Sequence, residues 1–121
     1  MLRSLFLLVG VCLAASVSMA QDPVKVDPQH YKVIFENDQV RVLKIHYGPG
    51  EKSVMHFHPN SVVVYENDAH MKMTTPDGKS VVSDGKAGDS QWTPAGLHLP
   101  ENVGDKPVDA VLVELKTKSS H

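Results

Sequence analysis

Gly50-Glu51-Lys52-Ser53-Val54-Met55-His56-Phe57-His58 and, later in the chain, Gly88-Asp89-Ser90-Gln91-Trp92-Thr93-Pro94-Ala95-Gly96-Leu97-His98-Leu99-Pro100-Glu101-Asn102 decide how this sequence is read. In a strand, side chains alternate between faces, so His56 and His58 share one face and sit about 7 Å apart along it. The other face then carries Met55 and Phe57, which also need cover. Both faces of this strand therefore want cover. If the second stretch supplies another strand of the same closed sheet, His98 reaches the interior point that His56 and His58 face. Neutral imidazole is a common metal ligand and binds at about 2.0–2.1 Å, so three converging rings would make a mononuclear site. Two surface histidines on an edge strand would show the same alternation; the second stretch is what favours ligands.

Outward from these stretches the chain reads as short strands cut by turn residues, with no convincing amphipathic helix. Tyr31, Val33 and Phe35 alternate, Asn37-Asp38 turns the chain into residues 40–47, and Gly48-Pro49-Gly50 breaks it before the histidines. Residues 61–66 form a β-branched run, Asn67-Asp68 leads into 70–75, and Pro76-Asp77-Gly78 is a tight hairpin signal before Val81-Val82. Gly88-Asp89 precedes 91–93, and Gly104-Asp105-Lys106-Pro107 precedes a closing strand at 108–116. Eight or nine strands at this spacing predict an all-β sandwich or barrel. The organisation expected is a leader at 1–20, a polar arm at 21–30, one domain at 31–116 and a tail at 117–121.

The leader has the form of a cleavable signal peptide. Arg3 gives a positive start, residues 5–17 are almost unbroken apolar sequence, and Ser18-Met19-Ala20 places small residues where a signal peptidase reads, which predicts cleavage before Gln21 and a periplasmic or secreted protein. The apolar run falls short of the roughly 20 residues a spanning helix needs, so no stable membrane anchor is expected after cleavage. Cleavage would remove Arg3 from the twelve basic side chains and Cys12, the single cysteine, leaving eleven basic against fourteen acidic groups and no disulfide. Such a mildly acidic chain without a basic cluster has no electrostatic footprint for nucleic acid. At about 100 residues it holds one core, with stability from apolar burial, assisted by a metal or a second subunit.

The paired stretches resemble the two sequence motifs of the cupins, small β-barrels of jelly-roll or double-stranded β-helix type. Gly50, His56 and His58 match the first motif; Gly88, Pro94, Gly96, His98 and Asn102 match the second with one residue fewer before the histidine, a deletion that a bulge would absorb. The segment from His58 to Tyr65 and the Trp92-to-Gly96 segment also resemble a subgroup of tiny single-domain cupins, some of them named for a connection with β-alanine breakdown. The departures are specific. Val62 or Val63 stands where the family has a metal-binding glutamate, and Ala69 where its first motif ends in glycine. Glu66 lies three or four residues late beside a turn, while Glu101, three residues after His98, is the carboxylate that would fold back over the site.

The resemblance implies a divalent transition metal on His56, His58 and His98, with zinc, iron, copper, nickel or manganese all open. Three neutral ligands leave the ion its full charge and a free position, so a small anionic ligand would be drawn to it. Tyr65 and Trp92 are candidates to line the pocket, although core packing explains an aromatic equally well. Asn102 reads as a turn-forming group, and His30, His46, His70 and His121 have no motif context. Met55 and Phe57 would pack outside the barrel against the lead-in strand or a second copy, which favours a homodimer. A metal-dependent enzyme, a binding module without turnover and a barrel with a degenerate site all stay open, and no catalytic residue is named.

Overall fold

A computed structural model describes residues 21–117; the leader, Cys12, His121 and all but the first residue of the expected tail lie outside the described residues. Among the described residues nine strands follow one short helix: α1 (Pro23–Val26), β1 (Tyr31–Glu36), β2 (Val40–Tyr47), β3 (His56–His58), β4 (Ser61–Tyr65), β5 (Ala69–Thr74), β6 (Ser80–Gly85), β7 (Ser90–Thr93), β8 (Gly96–Asn102) and β9 (Val108–Leu115). They form two antiparallel sheets, one ordered β1-β2-β9-β4-β7 and the other β3-β8-β5-β6, the double-sheet plan of a jelly roll. The turns carry the chemistry their sequences promised. Asn37 Oδ1 accepts from the Gln39 and Val40 amides at 2.8 and 2.9 Å, closing the β1–β2 turn. Gly78, at φ 84°, completes the β5–β6 hairpin in a conformation that disfavours any side chain.

The core lies between the sheets and is built by alternation. Along β9 the inward row is Val108, Ala110, Leu112 and Glu114, all buried, while the intervening residues are only partly so. Leu43 and Tyr47 of β2, Val63 and Tyr65 of β4, and Ala69 and Met71 of β5 complete the core with Tyr31. A carboxylate ends an otherwise apolar inward row, and β2 sets Arg41 directly opposite it.

One local expectation comes out differently. Pairing between β3 and β8 runs in register, His56 opposite His98 and His58 opposite Gly96, so the residue missing before His98 is not absorbed by a bulge there. The register shift of the large sheet falls instead between Val33 and Phe35 of β1. The polar arm at 21–30 is folded against the domain. Asp22 caps α1 by accepting from the Val24 amide at 2.9 Å, and Pro23, Asp27 and His30 are buried. The arm packs on β3, where the Gln21 carbonyl accepts from the Phe57 amide at 2.9 Å. The arm thus runs along the free edge of β3, beside the partly buried Phe57.

Candidate metal centre

His56 and His98 are cross-strand partners, and His58 is two residues further along the same face, so strand geometry alone delivers three imidazoles to one point. Their Nε2 atoms converge. His56 Nε2 lies 3.0 Å from His58 Nε2 and 3.1 Å from His98 Nε2, and one nitrogen from each ring falls within 4.8 Å of the others. The three rings stand nearly perpendicular to one another, at 79–90°, with centroids 4.7–5.0 Å apart.

The outer nitrogens fix what those inner nitrogens can do. His58 Nδ1 lies 2.8 Å from Glu114 Oε2, and His56 Nδ1 lies 2.8 Å from the Val54 carbonyl. A carbonyl only accepts, and burial acting to raise the Glu114 carboxyl is outweighed by its hydrogen bonds to His58 and Arg41, so it stays ionised and accepts too. Both Nδ1 atoms therefore donate, and in neutral rings both Nε2 atoms carry lone pairs pointing at each other. Such a contact needs a positive charge between the nitrogens. A proton can bridge two of them; a third at 3.1 Å is what a metal ion uses. Two nitrogens bound tetrahedrally at about 2.0–2.1 Å stand roughly 3.3 Å apart, close to the separations found here. Burial, and then the neighbouring histidine charge, push the His56 ring down to about 4 and the His98 ring to about 3, which keeps both neutral and ligand-ready at neutral pH. The donor set fits an imidazole-binding transition metal and not a hard cation that prefers oxygen.

Glu114 holds more than one partner. Its Oε1 accepts from Arg41 Nε at 2.6 Å, and the Arg41 fork reaches on to Asp22, Nη1 to Oδ2 at 2.7 Å and Nη2 to Oδ1 at 3.0 Å. On the other side, the Tyr31 ring stands edge-to-face with His56, centroids 4.9 Å apart, and tilted against His58 at 5.6 Å, and its hydroxyl meets that of Tyr47 at 2.6 Å. None of these residues stood out by motif. Alternation counted on from Leu112 would have placed Glu114 in the inward row, and an acidic residue in such a row is the signal that was available.

The other candidates separate. Tyr65 is buried and lines a cavity of about 490 Å³ that opens from His58 and His98 between the sheets. Its hydroxyl donates to Gln91 Oε1 at 3.3 Å. Trp92 also lines the cavity yet is 55 % exposed, which makes it a rim residue and not a core one. Glu101 does not line the cavity. An odd offset from His98 turns it to the opposite face of β8, where it lies 3.7 Å from Lys72 Nζ. Glu66 is likewise outside, paired with Lys44 at 2.6 Å. Val63, one of the two valines that could stand at the family's glutamate position, is an apolar wall of the cavity. Asn102 is buried and ties turns together, donating to the Gly48 and Lys106 carbonyls at 3.1 and 2.8 Å and accepting from the Gly104 amide at 3.0 Å. Of the histidines without motif context, His46 and His70 pair with Asp109 and Asp84 at the surface, while His30 is buried.

Known structures share this architecture. A cupin domain from Bordetella pertussis Tohama I is 30% identical over 72% of this chain and 92% of its own, with a TM-score of 0.67. An RmlC-like cupin family protein with a double-stranded β-helix fold from Methanocaldococcus jannaschii is 16% identical over 70% and 77%, with a TM-score of 0.58. A conserved protein with a double-stranded β-helix domain from Klebsiella pneumoniae is 24% identical over 73% and 84%, with a TM-score of 0.55. No family model and no curated protein matches the sequence. With this fold, that identity and a histidine cluster at the position the paired motifs point to, the chain belongs to the cupins.

Proposed function

We propose that this cupin binds one divalent transition metal through His56, His58 and His98 and holds a small ligand in the adjoining cavity. The observation that carries this is the meeting of Nε2 atoms at 3.0 and 3.1 Å while two of the rings donate through Nδ1. The bound metal would supply a Lewis-acid centre with an open position. The chain's own residues do the rest: Glu114 and the Val54 carbonyl orient two of the rings, and Tyr65, Val63 and Met71 wall the cavity. Among the described residues no Asp, Glu, Lys or Arg lines it, so an anionic ligand atom would be drawn by the metal while an apolar body fills the space. Metal per chain, measured on protein purified from metal-supplemented medium, tests the proposal; a value near zero would leave a degenerate barrel.

The same cavity favours binding without turnover as a second reading. Its acid–base groups are the histidines themselves and tyrosines whose hydroxyls burial pushes up, so among the described residues no side chain stands ready as a general base. Oxygen uptake with a panel of thiols and small acids separates an oxygenase from a binder.

Three further proposals follow from the sequence. The leader supports export to the periplasm or beyond, which N-terminal sequencing of protein from cells would test by a start at Gln21. The His58-to-Tyr65 and Trp92-to-Gly96 segments support membership of the tiny single-domain subgroup, but an association with β-alanine breakdown names no substrate. A homodimer is supported by edge strand β1, where Val33, Ile34 and Phe35 are 41, 56 and 55 % exposed. Light scattering of Phe35→Glu should then show a monomer where the parent is a dimer. As for the membrane, no helix among the described residues is long and apolar enough to cross one.

A further inference from the structure

We propose that the N-terminal arm at 21–30 is part of the histidine site, with Asp22 and Asp27 acting as positioning residues for the rings of His58 and His56. Two hydrogen-bonded strings run from the arm to the site. Asp22 grips the Arg41 guanidinium with both oxygens at 2.7 and 3.0 Å, Arg41 donates to Glu114 at 2.6 Å, and Glu114 accepts from His58 Nδ1 at 2.8 Å. Asp27 Oδ2 accepts from Ser53 Oγ at 2.5 Å, which leaves the Ser53 oxygen lone pairs to face His56 Nδ1 at 3.2 Å beside the nearer Val54 carbonyl. A backbone contact joins them, because the Gln21 carbonyl takes the amide of Phe57, the residue between the two histidines.

The arm is itself held by charge. His30 places Nδ1 2.7 Å from Asp27 and Nε2 2.8 Å from Glu51, and its ring stacks on Tyr47 at 4.3 Å and 8°. Tyr47 in turn meets the hydroxyl of Tyr31, whose ring stands edge-to-face with His56. A segment that only closed the end of a barrel would bury apolar groups. Besides Pro23, this one buries Asp27 and half-buries Asp22, each carboxylate within one or two side chains of an imidazole of the site. A bidentate fork through arginine fixes direction as well as charge, and an ionised Glu114 holds the His58 proton on Nδ1, which keeps the Nε2 lone pair turned inward.

The inference rests on the proposed metal only for its affinity measurement; ring tautomers can be read without metal. Nitrogen-15 shifts of the histidine rings in metal-free full-length protein should show His58 with its proton on Nδ1. Asp22→Asn should give a mixture of His58 tautomers, Asp27→Asn should alter the His56 ring nitrogens, and Asp22→Glu should restore the parent pattern. With Co²⁺ as the probe, the two Asn variants should bind about tenfold more weakly than the parent and show a changed visible spectrum. Parent-like tautomer populations in both Asn variants would overturn the inference, whatever happens to their melting temperatures. A parent protein that binds no Co²⁺ would sink the metal proposal, and the tautomers would still decide the role of the arm.

Discussion

Glu114→Gln tests the centre most directly, because it removes one charge and almost no volume from a side chain that is 2 % exposed. Glu114 accepts two donors, Arg41 Nε at 2.6 Å and His58 Nδ1 at 2.8 Å, and a glutamine can accept only one of them through its oxygen. Its amide group then faces the other donor. The cheapest relief is for His58 to move its proton to Nε2, which accepts the amide at Nδ1 and aims an N–H into the centre. In metal-free protein the loss is a charge-assisted hydrogen bond plus part of a buried ion pair. Breaking such a pair outright costs about 3–5 kcal/mol. Arg41 keeps Asp22 on its fork, so a loss of about 2–3 kcal/mol is expected, nearer the charged-hydrogen-bond range. With zinc bound, a loss of orientation worth 10–100-fold in affinity adds roughly 1.4–2.7 kcal/mol. Urea unfolding of parent and variant, each with and without saturating zinc, reads both numbers. An equal loss in the two conditions, or parent zinc affinity in the variant, would refute the argument that Glu114 sets the His58 lone pair.

Three other outcomes follow from the same geometry. His58→Ala should lose bound metal and the stabilisation that metal gives, because an ion that binds only the folded chain contributes by mass action; unchanged metal content would remove His58 from the site. In metal-free protein His56 and His98, held by burial and neighbouring charge at about 4 and about 3, stay neutral while the same groups in the unfolded chain take up protons near 6.5. The unfolded state then binds more protons between about 6.5 and 4, so stability should fall on acidification through that window, by about 1.4 kcal/mol per pH unit for each such histidine. A flat stability profile between pH 6.5 and 4.5 would contradict this. Gly85→Ala should cost about 1–3 kcal/mol, measured by thermal unfolding, because its new Cβ would lie 2.4–2.6 Å from the Tyr65 ring and push that ring toward the cavity.

Much of the architecture was legible because turn chemistry and alternation are local. Asn37-Asp38, Pro76-Asp77-Gly78 and the β-branched runs each act within a few residues, so the strand series could be read without knowing what lay beside it. The paired motifs likewise named the three histidines whose rings meet. Glu101 misled because a distance of three residues was weighed without its parity, and parity decides which face a strand residue takes. Trp92, read as a candidate to line the pocket, does so from its rim, since short β7 pairs with β4 at the end of its sheet and leaves that ring half in solvent.

By itself the sequence determined an all-β chain with His56 and His58 on one face of a strand, because period and turn chemistry are properties of single strands, and the resemblance to the paired cupin motifs added His98 to them. Only the tertiary structure decided what surrounds those rings. Glu114 comes from the last strand, Arg41 from the second, and Asp22 and Asp27 from the arm before the first, and they meet because β2 and β9 pair in full register while the arm folds over β3. Contacts between residues so far apart in the chain depend on which strands become neighbours. That is fixed by the packing of both sheets around one core, and no local pattern records it.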